Sequence, residues 1–384
     1  MAGSDGGVGA APPLSLPRAA GPVKAQVPGS RTRSGARGEP AGKPDLAGGV
    51  DRGVTADQPR PPLSVLDLAV VAEGGSSSRA LAETTVLAQR AEALGYRRFW
   101  VAEHHDMPSI ASTSPPVLMA HLAARTERIR VGSGGIMLPN HPPLVVAEQI
   151  AALEALHPGR IDLGLGRAPG ADQRTAAALR RGAPGVDAFP TDLLDVMGLL
   201  GDVRGEGGLW EHFSATPVAS SSPQILLLGS SGYSAQLAGV LGLPFAFAHH
   251  FGMGGTLEAL GLYREAFRPS PVLDAPHAIV TASVLVASTD EEAAWEAAPG
   301  QLMSHGIRTG RRVPLLSPAA AATHPLLPSA RAMRSNRIVG SPATAVAGLD
   351  ELVRATAADE VMVSATTYDL APRLEHLDLL MSAW

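Results

Sequence analysis

Four ionisable residues in a row, Glu103-His104-His105-Asp106, stand directly after the apolar run Phe99-Trp100-Val101-Ala102 and directly before a loop rich in Ser and Pro. Ionisable groups at the end of a buried strand cost free energy unless they are solvated, paired or used. Similar polar groups follow other apolar runs: Ser133-Gly134-Gly135, Gly166-Arg167, Gly229-Ser230-Ser231-Gly232-Tyr233-Ser234 and His249-His250. The Gly229–Ser234 stretch lies between an apolar strand and a helix. Its backbone N–H groups and hydroxyls therefore surround a helix N-terminus, a ready site for an anion such as a phosphate. Arg167 supplies a cation that could complete it. The competing readings are a helix cap with spare serines and a surface arginine in an ion pair.

Metal ligation by the Glu-His-His cluster is disfavoured. Successive side chains of an extended strand point to opposite sides, so His104 and His105 do not share one ion. Glu103 and His105 could, but further ligands are missing: there is no H-x-H after the first strand and no lysine after the fourth. No metal is expected. Lysine is absent from the region read as ordered, which disfavours Schiff-base chemistry. What remains is one histidine facing outward as acid, base or hydrogen-bond donor with its neighbour turned inward, or else two satisfied core histidines.

Regular elements must hold these residues. Ser64 to Val71 reads as a strand, followed by a helix with Ala80, Thr84, Leu87, Ala91 and Leu94 on one face and Gly95 as its stop. The alternation continues through strands at 97–102, 129–138, 160–165, 224–228, 245–247, 279–287 and 360–363, with helices between them. Continuous apolar strands separated by helices indicate a parallel sheet buried on both faces. Eight such units point to a (β/α)8 barrel, whose chemistry sits on loops at the C-terminal ends of its strands. The polar clusters fall at those ends. A doubly wound sheet is the rival, disfavoured by the count of eight and the lack of a G-x-G-x-x-G turn.

Composition bounds the rest. The chain has 384 residues, 45% of them hydrophobic, and a formal charge of −5, which gives no reason to expect nucleic-acid binding. No apolar run approaches a membrane span, and no signal peptide is recognisable, so a soluble, cytoplasmic protein is expected. Cysteine is absent, which removes disulfides, thiolate nucleophiles and iron–sulfur clusters. Residues 1–62 are rich in Gly, Ala, Pro and Ser, and the first sixty contain no Phe, Tyr or Trp. Such a segment reads as a disordered extension ahead of a barrel domain at 63–384.

The stretches "RRFWVAEHHDMPSIAS", "RIRVGSGGIMLPNHPPLVVAEQIAALEALHPGRIDLGLGRAPG", "LLLGSSGYSAQLAGVLGLPFAFAHHF" and "IVGSPATAVAGLDELV" resemble the bacterial-luciferase-like flavin monooxygenases, a non-Rossmann (β/α)8 family. The likeness runs from about Leu63 to the C-terminus. It is strongest to the single-chain branch found beside biosynthetic genes. The resemblance implies a two-component monooxygenase using FMN, as FMNH2, and O2 to act on a small organic substrate through a flavin C4a-(hydro)peroxide. In the family's E-H-H motif the first histidine, here His104, lies near the flavin ring, with Glu103 and His105 orienting it. A non-prolyl cis peptide under the ring falls on Gly134-Gly135. Arg167 and the loop Gly229, Ser230, Ser231, Gly232, Tyr233 and Ser234 match the phosphate-binding groups. The resemblance also implies a separate NAD(P)H:flavin reductase as partner and a homodimer.

This chain departs from the family in places. Gly166 stands where luciferase subunits carry a reactive cysteine, which speaks against light emission. The Pro- and Ala-rich stretch 300–334 occupies the place of the family's mobile lid but shares little with it. Two other functions stay open on the same fold: deazaflavin-dependent hydride transfer, and flavin binding without catalysis.

Overall fold

In the computed structural model the described residues are 59–168, 173–179, 185–311, 313–333 and 335–384; residues 1–58 of the extension read at 1–62 lie outside them. Ordered contacts start before Leu63. Arg60 donates to Asp350 at 2.9 and 3.0 Å and stacks over the ring of Trp384, and the Val361 N–H donates to the Pro62 carbonyl.

Eight parallel strands close a barrel: β1 Leu63–Asp67, β2 Arg98–Val101, β3 Arg130–Ser133, β4 Ile161–Gly166, β5 Gln224–Gly229, β6 Phe245–Phe247, β7 Ala278–Val286 and β8 Glu360–Ser364. Each pairs with the next, and β8 returns to β1 with Val363 opposite Val65. Helices cross between them on the outside, as the alternation requires. The first is Ser77–Leu94, capped at its start by the Ser76 side chain and ended by Gly95 at φ 89°, a left-handed conformation in which glycine carries no Cβ penalty.

Strand periodicity sorts the residues into layers. Leu66, Trp100, Leu226, Ala246, Ile279 and Met362 point inward and fill the barrel at mid-height. Trp100 fits because its neighbour on β3 is glycine: a Cβ on Gly132 would lie 2.5 Å from the indole Nε1. The outward residues of the same strands, such as Phe99, Val131, Leu163 and Val361, join the larger core beneath the helices. One layer lower, the barrel floor is charged. Arg98, wholly buried, bridges Glu360 at 2.9 Å and Asp162 at 2.9 Å, and Arg130 closes on the other oxygen of Asp162.

One expected element differs. The strand expected at 129–138 breaks after Ser133: the Gly134–Gly135 peptide is cis, and Ile136–Met137 pairs separately with the end of β4. The segment 300–334, read in the place of the family's lid, carries helical elements. Helix Asp290–Thr309 runs into it, and short helices Pro318–Ala322 and Leu327–Ala332 follow. They pack Leu316, Ala321, Leu327 and Ala330 against Ala298 and Leu302 of the long helix. Among the described residues no helix is long and apolar enough to cross a membrane.

A buried histidine links this packing to pH. His376, 2% exposed on the C-terminal helix, accepts a hydrogen bond at Nδ1 from the Val286 N–H. Burial, assisted by nearby Arg373, pushes its pKa from 6.5 to about 4. The unfolded chain therefore binds the extra proton first. His376's contribution is complete above pH 6.5 and is lost as pH falls toward 4, by up to about 1.4 kcal/mol per pH unit. Urea midpoints should accordingly fall between pH 7 and 5, with a shallower fall in His376→Asn. An equal fall in that variant would show that His376 is not responsible.

Candidate active site

A cavity of about 870 Å³ opens at the C-terminal ends of the strands. Of the residues singled out in the sequence, His104, Gly134, Gly135, Arg167, Gly229, Ser230, Ser231 and Ser234 line it. Glu103, His105, Gly232 and Tyr233 do not.

The strand alternation explains the split in the Glu-His-His cluster. His104 continues the inward parity of Trp100 and Ala102 and reaches the cavity, while Glu103 and His105 turn into the protein. The Glu103 carboxylate is 1% exposed and accepts hydrogen bonds from His105 Nε2 at 2.9 Å, His141 Nε2 at 2.9 Å, Asn140 at 3.1 Å and the Met137 N–H at 3.0 Å. Burial alone would raise its pKa, but these donors, His141 foremost, hold it below the usual carboxylate range. Glu103 therefore ties the end of β2 to the loop after β3. No hydrogen bond joins its carboxylate to the His104 ring, so any orienting effect on His104 passes through the backbone. That backbone is held by the His104 N–H to the Ser112 carbonyl.

His104 itself is poised and uncommitted. Its Nδ1 is buried without a hydrogen-bond partner. Burial lowers its pKa and outweighs the raising effect of Glu103, with His105 adding to the fall, so the ring is neutral at pH 7. His250, from the turn after β6, also lines the cavity with an unpartnered Nδ1. Burial pushes it down to about 4.

The turns after β4 and β5 offer positive charge. Ser231 caps helix Gly232–Val240 without spending its hydroxyl on the cap, leaving the first N–H groups of the helix facing the cavity mouth. Arg167 stands beside this turn with its guanidinium 4.2 Å from the centre of the Tyr233 ring. Tyr233 thus serves by holding Arg167 rather than by lining the space. Among the described residues Arg167 pairs with no carboxylate, so its charge is available to an anion.

The cavity is otherwise lined by apolar residues, among them Leu66, Trp100, Ala102, Leu228 and Met362, together with the cis peptide. The site therefore suits a flat, largely apolar group carrying an anionic tail. Asn140 and His141, which complete the Glu103 cluster, escaped sequence reading. They lie after the break in the expected third strand, and only the fold brings them within reach of residue 103.

Residues 62–360 match the family model described as luciferase-like monooxygenase. The chain belongs to that family. A luciferase-like monooxygenase of Escherichia coli (strain K12) is 43% identical over 323 residues, covering 83% of this chain and 95% of the relative. Among solved structures, that of apo-MsnO8 is similar with a TM-score of 0.78 and 36% identity, covering 84% of this chain and 98% of the other. The oxygenating constituent of 3,6-diketocamphane monooxygenase from Pseudomonas putida, solved in complex with FMN, shares the fold at a TM-score of 0.63 and 20% identity, covering 84% and 98%.

Proposed function

We propose that this member of the luciferase-like monooxygenase family is an FMN- and O2-dependent monooxygenase acting on a small organic substrate. The observation that carries the reading is the combination within one cavity of the Arg167–Ser231 anion site, the uncommitted His104 and an apolar lining. The residues fit the cofactor. Arg167, the Ser230 and Ser231 hydroxyls and the helix N-terminus suit its phosphate, and the apolar wall suits its ring. When bound and reduced, FMN supplies the oxygen-activating chemistry. The FMN complex of the diketocamphane enzyme, which has the same fold, agrees with this choice.

The chain's own part is positioning and protection. The Gly134–Gly135 peptide and Trp100 form the wall against which a flat ring would rest, and His104 presents an uncharged nitrogen to the reacting region. The apolar lining excludes water, which would otherwise compete for reactive oxygen. The described residues make one barrel, with no second sheet to carry a dinucleotide-binding fold. A separate NAD(P)H:flavin reductase as the source of reduced FMN completes the reading.

Flavin titration tests the cofactor assignment. FMN should bind at least about tenfold more tightly than riboflavin, the value of one charge-assisted hydrogen bond or more. Arg167→Ala should erase most of that preference while leaving riboflavin binding unchanged. Equal affinity for the two flavins in the unmodified protein would contradict the phosphate site.

A further inference from the structure

The wall formed by the 290–309 helix carries a second cationic group that the flavin reading does not use. Helix Asp290–Thr309 presents Gln301, Ser304 and Arg308 to the cavity at spacings of three and four, so they lie on one face. Arg337, just ahead of the short strand Ile338–Gly340, reaches across to this face. It donates to the Gly300 carbonyl at 3.1 Å and to the Ser304 hydroxyl. Both acceptors are neutral. Among the described residues no carboxylate pairs with Arg337. Burial lowers the Arg337 guanidinium to about 10, and nearby Arg308 pushes in the same direction.

A guanidinium enclosed at a cavity wall, close to a second guanidinium and lacking a counter-charge, is costly unless an anion completes it. We propose that Arg337 and Ser304 form a subsite for the carboxylate of the organic substrate. The planar fork of arginine matches a carboxylate with two parallel hydrogen bonds. Met303, Ile307, Met333 and Val339 line the same region and suit an apolar body attached to that group. The substrate class is therefore an amphipathic carboxylic acid held by its acid group at the 290–309 wall. The assignment rests on the flavin-enzyme reading for the word substrate, but the anion site itself does not need flavin.

Octanoate and octanamide, equal in size and different in charge, are the probes. Calorimetric titration into FMN-loaded protein should show octanoate binding about tenfold or more tightly than octanamide. Arg337→Met should bring the two within about twofold, while Arg337→Lys, which keeps the charge, retains part of the preference. FMN affinity should stay unchanged in both variants. Equal binding of acid and amide by the unmodified protein would overturn the subsite, as would a preference that survives Arg337→Met. Loss of FMN affinity but not riboflavin affinity in Arg337→Met would also overturn it, by assigning Arg337 to the cofactor's phosphate. The same titration on flavin-free protein separates the two ideas: failure to bind FMN with the acid preference intact sinks the cofactor reading alone.

Discussion

His104→Ala is expected to speed the reoxidation of protein-bound reduced FMN by oxygen by about 10²-fold or more, with hydrogen peroxide released nearly one for one. The reasoning starts from parity along β2. His104 is the residue of its cluster that faces the cavity, and its Nδ1 has no partner in the protein. Burial keeps the ring neutral at pH 7, so it can hold a proton or accept one at the reacting region without carrying charge into an apolar site. Alanine removes that group and opens space for water, the two changes that most favour unproductive loss of oxygen as peroxide. FMN affinity should change little, because the phosphate site lies on the turns after β4 and β5 and not on that after β2. Single-turnover mixing with oxygen measures both quantities; an unchanged rate would remove His104 from the chemistry.

The second large effect is on stability. Arg98→Met should destabilise the fold by about 3–5 kcal/mol, because it strands two buried carboxylates. Arg98 and both partners, Asp162 and Glu360, are 0% exposed. Glu360 also accepts from Ser64, and Asp162 from the Trp100 indole at 2.9 Å, so the floor of the barrel is one connected network. Arg130 remains on Asp162 in the variant and limits the damage there, while Glu360 keeps the Ser64 hydroxyl and the more distant charges of Arg97 and His277. A surface pair offers the contrast. Breaking Arg79–Glu83, four residues apart on one helix with the Arg79 side chain in solvent, should cost far less. Urea unfolding of the two variants side by side checks the ranking. Equal losses would mean that the floor network has no special weight.

Much of this architecture was legible from residue order. Apolar runs of strand length alternating with helices point to the barrel, and barrel geometry places the clusters after β2, β4, β5 and β6 at one end. Strand parity separates His104 from His105 before any coordinates are seen. The readable features share one property: each depends on neighbours within a few positions.

The illegible features depend on long-range pairing. Glu103 is tied down by residues 34 to 38 positions away, beyond a strand that breaks where a continuous one is expected. Arg98 looks like one more polar residue at the start of an apolar run, yet its partners lie 64 and 262 positions away. Arg337 lies in an unremarkable Ser-Asn-Arg stretch. Only the packing of the 290–309 helix across the cavity gives it a role. Tyr233 reads as part of a phosphate loop, whereas the fold uses it to hold Arg167.

The most direct test of the flavin monooxygenase reading is the rate at which oxygen reoxidises reduced FMN with and without the unmodified protein, followed in a stopped-flow spectrometer after anaerobic mixing. A reoxidation slowed well below that of free reduced FMN, and restored toward the free rate by His104→Ala, is the predicted result. Identical kinetics with and without protein would contradict it and make titration with a deazaflavin the next experiment.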